Sequence, residues 1–553
     1  MKKKLTSFIV IMLFLSPILF TSQFAFSGSE ENSWVPREPM PTARGGLGVA
    51  VVNGKIYAIG GSNADTQLGV TEEYNPVTDT WAAKSPMPTP RSGFAVAVYQ
   101  NRIYCIGGTI RDSENYVSGI TGVTEVYDPL TDTWTTVNPM NTPRADLCAS
   151  IVNGTIYCVG GKKYLGIDSS YQELNVTEAY NPNTNSWSEK PDMPIPVLGC
   201  ASAVLDGKIY VIGGSRHFQL GWELDTVGFT QIYDPENDEW SIGVSLPIAQ
   251  SYGAAATTIG ETAPESLYFI GGSNETQYSS ITYVYDSELN VWNLGASIPT
   301  PRINLACAVL DDILYAIGGF DGENWLDDTE QYLPIGYGTV PPKLEILSPE
   351  NKTYIRSDIP LVLSMSRPAT WIGYSLDGWD NVTISGDTEL LDLSEGNHSI
   401  TVYINDTFGN MVSSDSVIFS VDTFSPQIVV LSPENKTYGG NDIQVVFAVD
   451  EPVSWMGYSL DGLENITITG NVTLAALSNG SHEITFYAID LFGNGCMSET
   501  VYFEIAPFPT VLLTALAVTI TISAATAYLF IKRRKKSTAK IIEENRFSHR
   551  SGS

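Results

Sequence analysis

Four arginines recur at one position of a repeated pattern, and a glutamate accompanies each of them. Each arginine lies four residues after a Met or an Ile, and each glutamate lies two residues before a repeated tyrosine. Guanidinium and carboxylate groups that converged on one cavity could bind an anionic ligand or take part in catalysis. The pairs are Arg44 with Glu72, Arg91 with Glu125, Arg144 with Glu178, and Arg302 with Glu330.

Two further repeats lack both charges. Val197 and Gln250 replace the arginine, and Gln231 and Tyr283 replace the glutamate. An unpaired buried charge is costly, so an arginine and a glutamate that are present and absent together are typical of a buried ion pair. We therefore expect a structural Arg–Glu pair within each of the four repeats. A ring of these side chains that faces a ligand is the alternative.

A second group of basic and aromatic residues lies in three long loops, each of which follows a Gly-Gly pair. These loops span 19 residues from the second glycine to the repeated tyrosine, whereas three equivalent loops span 13. Basic and aromatic side chains on an acidic chain are suited to an anionic or glycan ligand. Ordinary solvated loops are the alternative. The candidate binding residues are Arg111, Lys162, Lys163, Tyr164, Arg216, His217 and Trp222.

The sequence contains no nucleophile elbow, metal-ligand cluster or glycine-rich phosphate loop. We therefore predict no catalytic residue, no metal site and no cofactor. His398 and His482 occupy equivalent turns of a duplicated segment, which favours a packing or capping role for both. Calcium binding by aspartates in such turns is the alternative to ordinary Asp-Gly turn chemistry. These aspartates are Asp377, Asp406, Asp461 and Asp490.

The elements that would position the candidate residues repeat every 47 to 58 residues. In each unit two short apolar runs end at a Gly-Gly pair, and a third run ends at a tyrosine that is followed by a tryptophan. Asn53-Gly54 between the first two runs predicts a β-hairpin turn. The pairs are Gly60-Gly61, Gly107-Gly108, Gly160-Gly161, Gly213-Gly214, Gly271-Gly272 and Gly318-Gly319.

This repeat resembles the kelch family over about residues 33–333, and six copies agree in order and spacing. The resemblance implies a six-bladed β-propeller. Similar six-bladed members include sialic acid mutarotases and ligand-binding heads. Galactose oxidase carries a seven-bladed version whose copper site needs two histidines, and His217 is the only histidine in this region. The sequence therefore argues against a copper radical enzyme.

The two ends of the repeat region are expected to meet in one blade. The last unit has Tyr332 but no tryptophan after it, whereas Trp34 precedes the first unit. Trp34 lies six residues before Met40, the same step that separates Trp81 from Met87. We therefore expect residues from about 33–38 to form the outer strand of the last blade.

A second repeat follows, in which "LSPENKTY" occurs twice at an offset of 84 residues. Alternating runs bounded by Gly and Asn turns predict strands. The two copies resemble immunoglobulin-like or fibronectin-type β-sandwiches of prokaryotic surface proteins. We predict a linker at 334–342, one Ig-like domain at 343–422 and a second at 427–506, which together form a stalk.

The chain ends predict a surface location. Three lysines and an apolar run precede Ala25-x-Ser27, which is typical of a signal peptide at 1–27; an uncleaved anchor is the alternative. Residues 510–531 carry no charge and are followed by five basic residues. This predicts one C-terminal transmembrane helix and a cytoplasmic tail at 532–553.

Eleven Asn-x-Ser/Thr triplets are candidate glycosylation sites, although strand composition alone also produces such triplets. They are Asn153, Asn175, Asn274, Asn351, Asn381, Asn397, Asn405, Asn435, Asn465, Asn471 and Asn479. The six cysteines lie where other copies carry Ala or Val, or stand alone, which favours buried apolar thiols over disulfides.

We predict an all-β fold with a six-bladed kelch propeller, two Ig-like sandwiches and a membrane helix. A net charge of −31 argues against nucleic-acid binding. The favoured function is recognition or adhesion at the surface of a cell, with an archaeal source and a surface glycan or protein as the partner. The alternative is a carbohydrate-active propeller that resembles the sialic acid mutarotases.

Overall fold

The computed structural model describes residues 30–111, 117–165, 171–217, 224–274, 276–507 and 510–547. These residues divide into two compact units. The first unit contains the chain up to Lys343 together with 365–370 and 405–412, and the second contains 344–364, 371–404 and the chain from 413. The predicted signal peptide at 1–27 lies outside the described residues.

Strands build the first unit, as the all-β prediction requires. In chain order they are β1 Ser33–Arg37, β2 Gly48–Val52, β3 Lys55–Ile59, β4 Thr71–Asn75, β5 Thr80–Lys84, β6 Ala95–Tyr99, β7 Arg102–Ile106, β8 Thr109–Arg111, β9 Val117–Ile120, β10 Thr124–Asp128, β11 Thr133–Val137, β12 Cys148–Val152, β13 Thr155–Val159, β14 Lys162–Tyr164, β15 Tyr171–Glu173, β16 Thr177–Asn181, β17 Ser186–Lys190, β18 Ala201–Leu205, β19 Lys208–Ile212, β20 Ser215–His217, β21 Leu224–Thr226, β22 Thr230–Asp234, β23 Glu239–Ile242, β24 Ala254–Thr257, β25 Leu267–Ile270, β26 Thr282–Asp286, β27 Val291–Leu294, β28 Ala306–Leu310, β29 Ile313–Ile317 and β30 Thr329–Leu333.

Six of the sheets within the described residues contain four antiparallel strands each. They are β2-β3-β4-β5, β6-β7-β10-β11, β12-β13-β16-β17, β18-β19-β22-β23, β24-β25-β26-β27 and β28-β29-β30-β1. The first two strands of a sheet join through a tight hairpin, in which Asn53 and Gly54 have φ values of 50° and 70°. Such left-handed residues suit a two-residue hairpin turn, which explains the recurring Asn-Gly and Asp-Gly pairs.

The sixth sheet contains both ends of the repeat region. Strand β1 pairs antiparallel with β30, and Trp34 lies opposite Tyr332. Their rings are 5.0 Å apart, as are those of Tyr74 and Trp81 within the first sheet. This pairing of Trp34 with Tyr332 was predicted, because the final unit lacks its own tryptophan.

Each of these tryptophans also joins its sheet to a neighbouring sheet. The indole nitrogen of Trp81 donates to the carbonyl of Glu38, and that of Trp34 donates to the carbonyl of Ala296, both at 2.9 Å. Equivalent bonds connect the remaining sheets in order, and they are donated by Trp134, Trp187, Trp240 and Trp292. The six sheets are therefore linked in a closed cycle.

The chain from 344 to 505 is also built from strands, most of which belong to the second unit. In chain order these are β31 Leu344–Ser348, β32 Thr353–Tyr354, β33 Ile359–Met365, β34 Ala369–Leu376, β35 Val382–Ile384, β36 Thr388–Leu390, β37 Gly396–Asp406, β38 Met411–Ser413, β39 Val417–Val421, β40 Ile428–Ser432, β41 Thr437–Tyr438, β42 Ile443–Val449, β43 Val453–Leu460, β44 Ile466–Thr467, β45 Val472–Leu474, β46 Gly480–Asp490, β47 Gly495–Met497 and β48 Val501–Ile505.

The 84-residue repeat appears as two copies of one strand arrangement. The first copy has a three-stranded sheet, β31-β33-β36, and a larger sheet, β32-β39-β37-β34-β35, to which β38 is added. The second copy repeats both sheets with β40 to β48. Alternate residues of the long strand β46 are buried, among them Ile484 and Phe486. The period-two pattern of the sequence therefore gives each copy its own core.

The two histidines of the duplicated segment have the predicted packing or capping role. His398 Nδ1 lies 2.7 Å from Asp377 Oδ2, and its Nε2 lies 2.7 Å from the carbonyl oxygen of Ser394. His482 makes the equivalent contacts with Asp461 and Ser478, both at 2.8 Å. Each histidine thus ties two turns of its own copy together.

Position 367 is one of the places where the charge differs between the two copies. The guanidinium of Arg367 pairs with the buried carboxylate of Asp406 in the first copy. The equivalent position of the second copy, 84 residues later, is Glu451, which lies in an acidic group with Asp490 and Asp422. The nearest oxygens of the three carboxylates lie within 4.8 Å of one another. Partial burial, Asp422, Asp450 and Asp490 together raise the pKa of Glu451.

We expect the substitution Glu451→Arg to raise the thermal midpoint of the second unit. The new guanidinium would replace like-charge repulsion with the ion pair that the first copy already uses. The gain should shrink in about 1 M salt, where the Debye length is about 3 Å. Differential scanning calorimetry of the full chain checks both points, with Glu483→Arg as a matched acidic-to-basic control. An unchanged or lower midpoint in E451R would contradict this account.

A C-terminal helix, α1, runs from Thr510 to Phe547. It continues beyond the predicted end at residue 531, because the basic segment that follows contains good helix formers and neither Gly nor Pro. Among the described residues, no helix is both long enough and apolar enough to cross a membrane. The predicted span at 510–531 falls partly outside the residues whose side chains the structure describes.

Candidate functional site

The four Arg–Glu pairs are buried, which confirms the structural interpretation. The four arginines are fully buried in the first unit. Nitrogen–oxygen distances are 2.6 Å for Arg44–Glu72, 3.1 Å for Arg91–Glu125 and 2.7 Å for Arg302–Glu330, and Arg144 pairs in the same way with Glu178. These side chains are therefore buried between strands and are not part of an exposed surface.

Arg44 shows how such a pair is satisfied. Its guanidinium also donates to the carbonyls of Thr42 and Ala58 at 2.8 Å and 3.0 Å. Burial lowers the pKa of Arg44, while the charge of Glu72 opposes that shift. The pair therefore anchors the loop before β2 to the two central strands of its own sheet.

The two repeats without these charges carry neutral residues at the same positions, and they differ from each other. In the fourth sheet, Gln231 takes the place of glutamate and bonds twice to the backbone of Ile195, accepting at 2.8 Å and donating at 3.0 Å. In the fifth sheet, Gln250 is buried, and neither polar atom of its side chain has a hydrogen-bond partner among the described residues. In the fourth sheet, therefore, the neutral amide of Gln231 takes the place of the buried ion pair.

A ring of backbone hydrogen bonds positions the loops of the candidate site. Six residues, one from the loop before each first strand, donate N–H groups to one another in a closed cycle at 2.7–2.9 Å. They are Gly46, Gly93, Asp146, Gly199, Tyr252 and Asn304. The residue that follows each Gly-Gly pair bridges to the residue just before a ring member, as Lys162 does to Ala145. The Gly-Gly loops therefore surround this ring.

Asp146 and Lys162 form an ion pair beside the ring. Lys162 Nζ lies 2.6 Å from Asp146 Oδ2 and 5.0 Å from the centre of the Tyr171 ring. Burial alone would lower the pKa of Lys162, but the Asp146 carboxylate outweighs this and raises the pKa. The ammonium group is thus held charged in a half-buried position.

Tyr252 is the ring member two positions after Asp146, with Gly199 between them. Burial and the Asp146 carboxylate raise its pKa well above the ordinary value. The ring glycines make room for these side chains. A Cβ on Gly93 would lie 2.3 Å from Asp146 Oδ1, and a Cβ on Gly199 would lie 2.8 Å from Tyr252 Cε1. The side chains of Asp146 and Tyr252 therefore pack over Gly93 and Gly199, the ring members that precede them.

His217 and Arg216 extend the site into the fourth sheet. His217 Nδ1 lies 2.8 Å from Glu173 Oε2, and its ring is 5.3 Å from that of Tyr171. Burial raises the pKa of Glu173, but the hydrogen bonds from His217 reverse the shift and lower it. The guanidinium of Arg216 packs 5.4 Å from the centre of the Phe229 ring.

The other candidate residues are placed as follows. Lys163 is exposed, and Tyr164 pairs across its hairpin with Tyr171. Arg111 lies on the second sheet's loop and donates to the carbonyl of Asp65. Trp222 lies outside the described residues. Lys162 and His217 both pack against Tyr171, and His217 also contacts Glu173. The structure thus places these two candidate residues in one cluster.

Several residues of this site were not predicted from the sequence. Asp146, Tyr252 and Asn304 occupy a ring position that is glycine in the other three repeats, and that exchange is the signal that could have identified them. The short loops of the fifth and sixth sheets also contribute an aromatic group. Phe320 packs 5.0 Å from Trp325 and 6.1 Å from Tyr278, measured between ring centres.

The candidate glycosylation sites differ in access. Eight of the eleven asparagines are exposed, and Asn175, Asn274 and Asn405 are half-buried. The side chain of Asn274 accepts hydrogen bonds from the backbone of Thr276 and Gln277, so its turn is internally bonded. Glycosylation stays a prediction at all eleven positions.

Family models match the repeat region. Residues 22–161 match the KLHDC2/KLHL20/DRC7 Kelch-repeats domain, and residues 143–194, 196–247 and 301–336 match the Kelch motif. These matches show that the repeats are kelch repeats, and the observed strands confirm the predicted all-β fold of this region. They do not extend to the second unit.

Curated relatives are similar over about a third of the chain. Kelch-like protein terF of Aspergillus terreus is 30% identical over 36% of this chain and 46% of its own length. Beta-scruin of Limulus polyphemus is 28% identical over 36% of this chain and 22% of its own length. The chain therefore spans less than half the length of these relatives. The solved structure of YjhT covers 53% of this chain and 95% of its own, with 18% identity and a TM-score of 0.45.

Proposed function

Because the repeats in the first unit belong to the kelch family, we propose that this unit is a six-bladed propeller that binds an anionic ligand. The six four-stranded sheets and their two closed cycles of hydrogen bonds support the blade count. The ligand is a surface glycan or protein, and it sits on the face that carries the Gly-Gly loops. On this proposal the chain is a recognition module with no catalytic activity.

Arg216 carries this proposal. Its Nε is buried without a hydrogen-bond acceptor, and no carboxylate pairs with its guanidinium among the described residues. Across its hairpin lies Asp225, yet the two side chains form no ion pair within 4.0 Å. A guanidinium that packs on an aromatic ring and has no carboxylate partner among the described residues is suited to a carboxylate or sulfate group of a ligand.

We expect the substitution Arg216→Ala to weaken binding of acidic polysaccharides by about 10- to 100-fold, the cost of one or two charge-assisted hydrogen bonds. Polyuronate and chondroitin sulfate are the probes, dextran is the neutral comparison, and affinity is measured by titration calorimetry with the full chain. Arg102→Ala is the matched control, because Arg102 is exposed at the opposite end of β7 from the Gly-Gly loop and pairs with Asp128. Equal affinity in R216A and R102A would reject this surface.

A carbohydrate-active propeller is the second candidate, and the Asp146–Lys162 pair favours it. An acidic and a basic group meet at the ring, where proton transfer to and from a sugar hydroxyl is chemically possible. Anomer exchange of uronic acids, followed by NMR, tests this candidate. Exchange that is accelerated by the wild type and lost in Asp146→Asn would support an enzyme, and no acceleration by the wild type would exclude this reaction.

We also propose that residues 343–422 and 427–506 are two Ig-like sandwiches that act as a glycosylated spacer at a cell surface. The duplicated sheets and the exposed sequons support the spacer. The uncharged segment 510–531 with its basic flank supports a single-pass anchor that leaves the N-terminal part outside. Retention of the full chain in the membrane pellet after alkaline carbonate extraction is expected. Release into the supernatant would contradict the anchor.

A further inference from the structure

Two cysteines of neighbouring sheets touch each other in the first unit. The Sγ atoms of Cys148 and Cys200 are 3.5 Å apart, which is van der Waals contact for sulfur. Both side chains are buried, with 7% and 9% exposure. Cys148 is the first residue of β12, and Cys200 immediately precedes β18. Cys148 thus begins, and Cys200 directly precedes, the first strand of one of two adjacent sheets, next to the ring.

Each of these cysteines lies where other repeats carry small or apolar residues, which by itself predicts buried apolar side chains. The two positions are offset by one residue in the repeat. Cys148 is equivalent to Ala201, whereas Cys200 is equivalent to Leu147. This offset is what brings the two sulfurs together across the sheet interface. An alignment of the repeats places the two cysteines at different positions and therefore does not reveal their contact.

We infer that Cys148 and Cys200 form a disulfide that links the third and fourth sheets covalently. A bond of about 2.05 Å requires the sulfurs to approach by about 1.5 Å, which small rotations of both side chains can share. All six cysteines are free thiols in this structure. The inference therefore concerns the chain after oxidation, and it is independent of the proposed ligand.

The bond forms by thiol–disulfide exchange with a small disulfide oxidant such as oxidised glutathione. The Cys148 thiolate attacks one oxidant sulfur, forms a mixed disulfide and releases one thiolate. The Cys200 thiolate then attacks the Cys148 sulfur and releases the second thiolate. Two protein thiols are oxidised, one oxidant disulfide is reduced to two thiols, and the two protons from the cysteines are taken up by the released thiolates. Because both sulfurs are buried in the folded unit, exchange takes place while the two sheets assemble.

Cys148 is suited to the attacking role. The hydrogen bond from the Cys200 thiol lowers the pKa of Cys148, and the same contact raises the pKa of Cys200. The thiolate is the attacking species in thiol–disulfide exchange, so this direction favours Cys148 for the first attack as the two thiols come into contact.

The crosslink also lies beside the candidate site. Cys148 is two residues after Asp146, and Cys200 follows Gly199, whose N–H donates to the carbonyl of Asp146 at 2.9 Å. The sulfurs therefore join the two chain segments that this ring bond already connects. The disulfide would close a segment of more than fifty residues, and long closed segments gain the most from a crosslink in the chain-entropy account.

The test is to refold the full chain from the reduced, denatured state with oxidised and reduced glutathione. Free thiols are then alkylated, and peptides are mapped by mass spectrometry without reduction. We expect the Cys148 peptide to be joined to the Cys200 peptide with the loss of two hydrogens, and the other four cysteines to be alkylated. Alkylation of both Cys148 and Cys200 in the refolded chain, or a crosslink of either one to a different cysteine, would overturn the inference.

Thermal unfolding gives a second readout that does not depend on mapping. The oxidised wild type should unfold at a higher temperature than the same protein with dithiothreitol, and this difference should vanish in Cys200→Ala. Cys105→Ala is the matched control, since Cys105 is a fully buried thiol on β7, the second strand of another sheet, and the difference should persist there. If C200A does not fold, the comparison of oxidised and reduced wild type still decides. Identical midpoints in those two states would contradict a stabilising crosslink.

Discussion

Replacing Arg44 with alanine is expected to lower the free energy of unfolding by about 3–5 kcal/mol, the cost of breaking one buried ion pair. The substitution leaves the Glu72 carboxylate, which is 3% exposed, without its cation. It also removes the donors to Thr42 and Ala58. Urea unfolding of the full chain measures the loss through the denaturation midpoint.

The chain supplies its own control for this prediction. The fourth repeat carries Val197 and Gln231 at the two positions, and Gln231 bonds to the backbone instead of to an arginine. The double variant Arg44→Val with Glu72→Gln copies that solution, so we expect it to recover most of the lost stability. If the double variant were no more stable than R44A, the loss would not arise from an uncompensated charge. If R44A itself unfolded at the wild-type midpoint, the pair would have no structural role.

Replacing Trp34 with alanine is expected to cost about 3 kcal/mol, near the lower end of the range for truncating a packed aromatic residue. Trp34 is half-buried, packs on Tyr332, and donates to the carbonyl of Ala296. It lies in the first described strand, where terminal residues are often poorly ordered unless a sheet holds them. A large effect so near the end of the domain would show that β1 closes the cycle of sheets.

Trp81 provides the matched comparison, because it packs on Tyr74 within the first sheet and donates to the carbonyl of Glu38, just after β1 of the sixth sheet. If the cycle is closed, Trp34→Ala and Trp81→Ala should lose similar amounts of stability. If β1 frays in solution, W34A should lose much less than W81A. Trp379→Ala serves as the neutral control, since Trp379 is 77% exposed and should change stability by less than about 0.5 kcal/mol.

The periodic features of the first unit could be predicted from the sequence. Gly-Gly pairs, the Tyr–Trp step and the Arg–Glu covariation each recur in several copies, so every copy reports on the same local structure. The pairing of the Trp34 and Tyr332 strands followed from one missing residue in the last repeat. The buried Arg–Glu pairs followed from charges that appear and disappear together.

The candidate site was less predictable, because it depends on departures from the repeat. Asp146 and Tyr252 stand at ring positions where other repeats have glycine, and their roles come from contacts between sheets rather than within one. Loop length directed attention to the second, third and fourth repeats. The aromatic group formed by Tyr278, Phe320 and Trp325 lies on short loops, so a search by loop length could not find it. The contact of Cys148 with Cys200 likewise arises between sheets.

Ligand protection of lysines tests the central claim most directly. The full chain is acylated with and without chondroitin sulfate, and the modification of each lysine is quantified by mass spectrometry. Lys163 is exposed on the loop beside Lys162, and Lys208 is exposed at the start of β19, away from the Gly-Gly loops. If the loop face binds anionic ligands, Lys163 should be protected while Lys208 reacts at its free rate. Equal reactivity of Lys163 with and without bound polysaccharide would contradict the account.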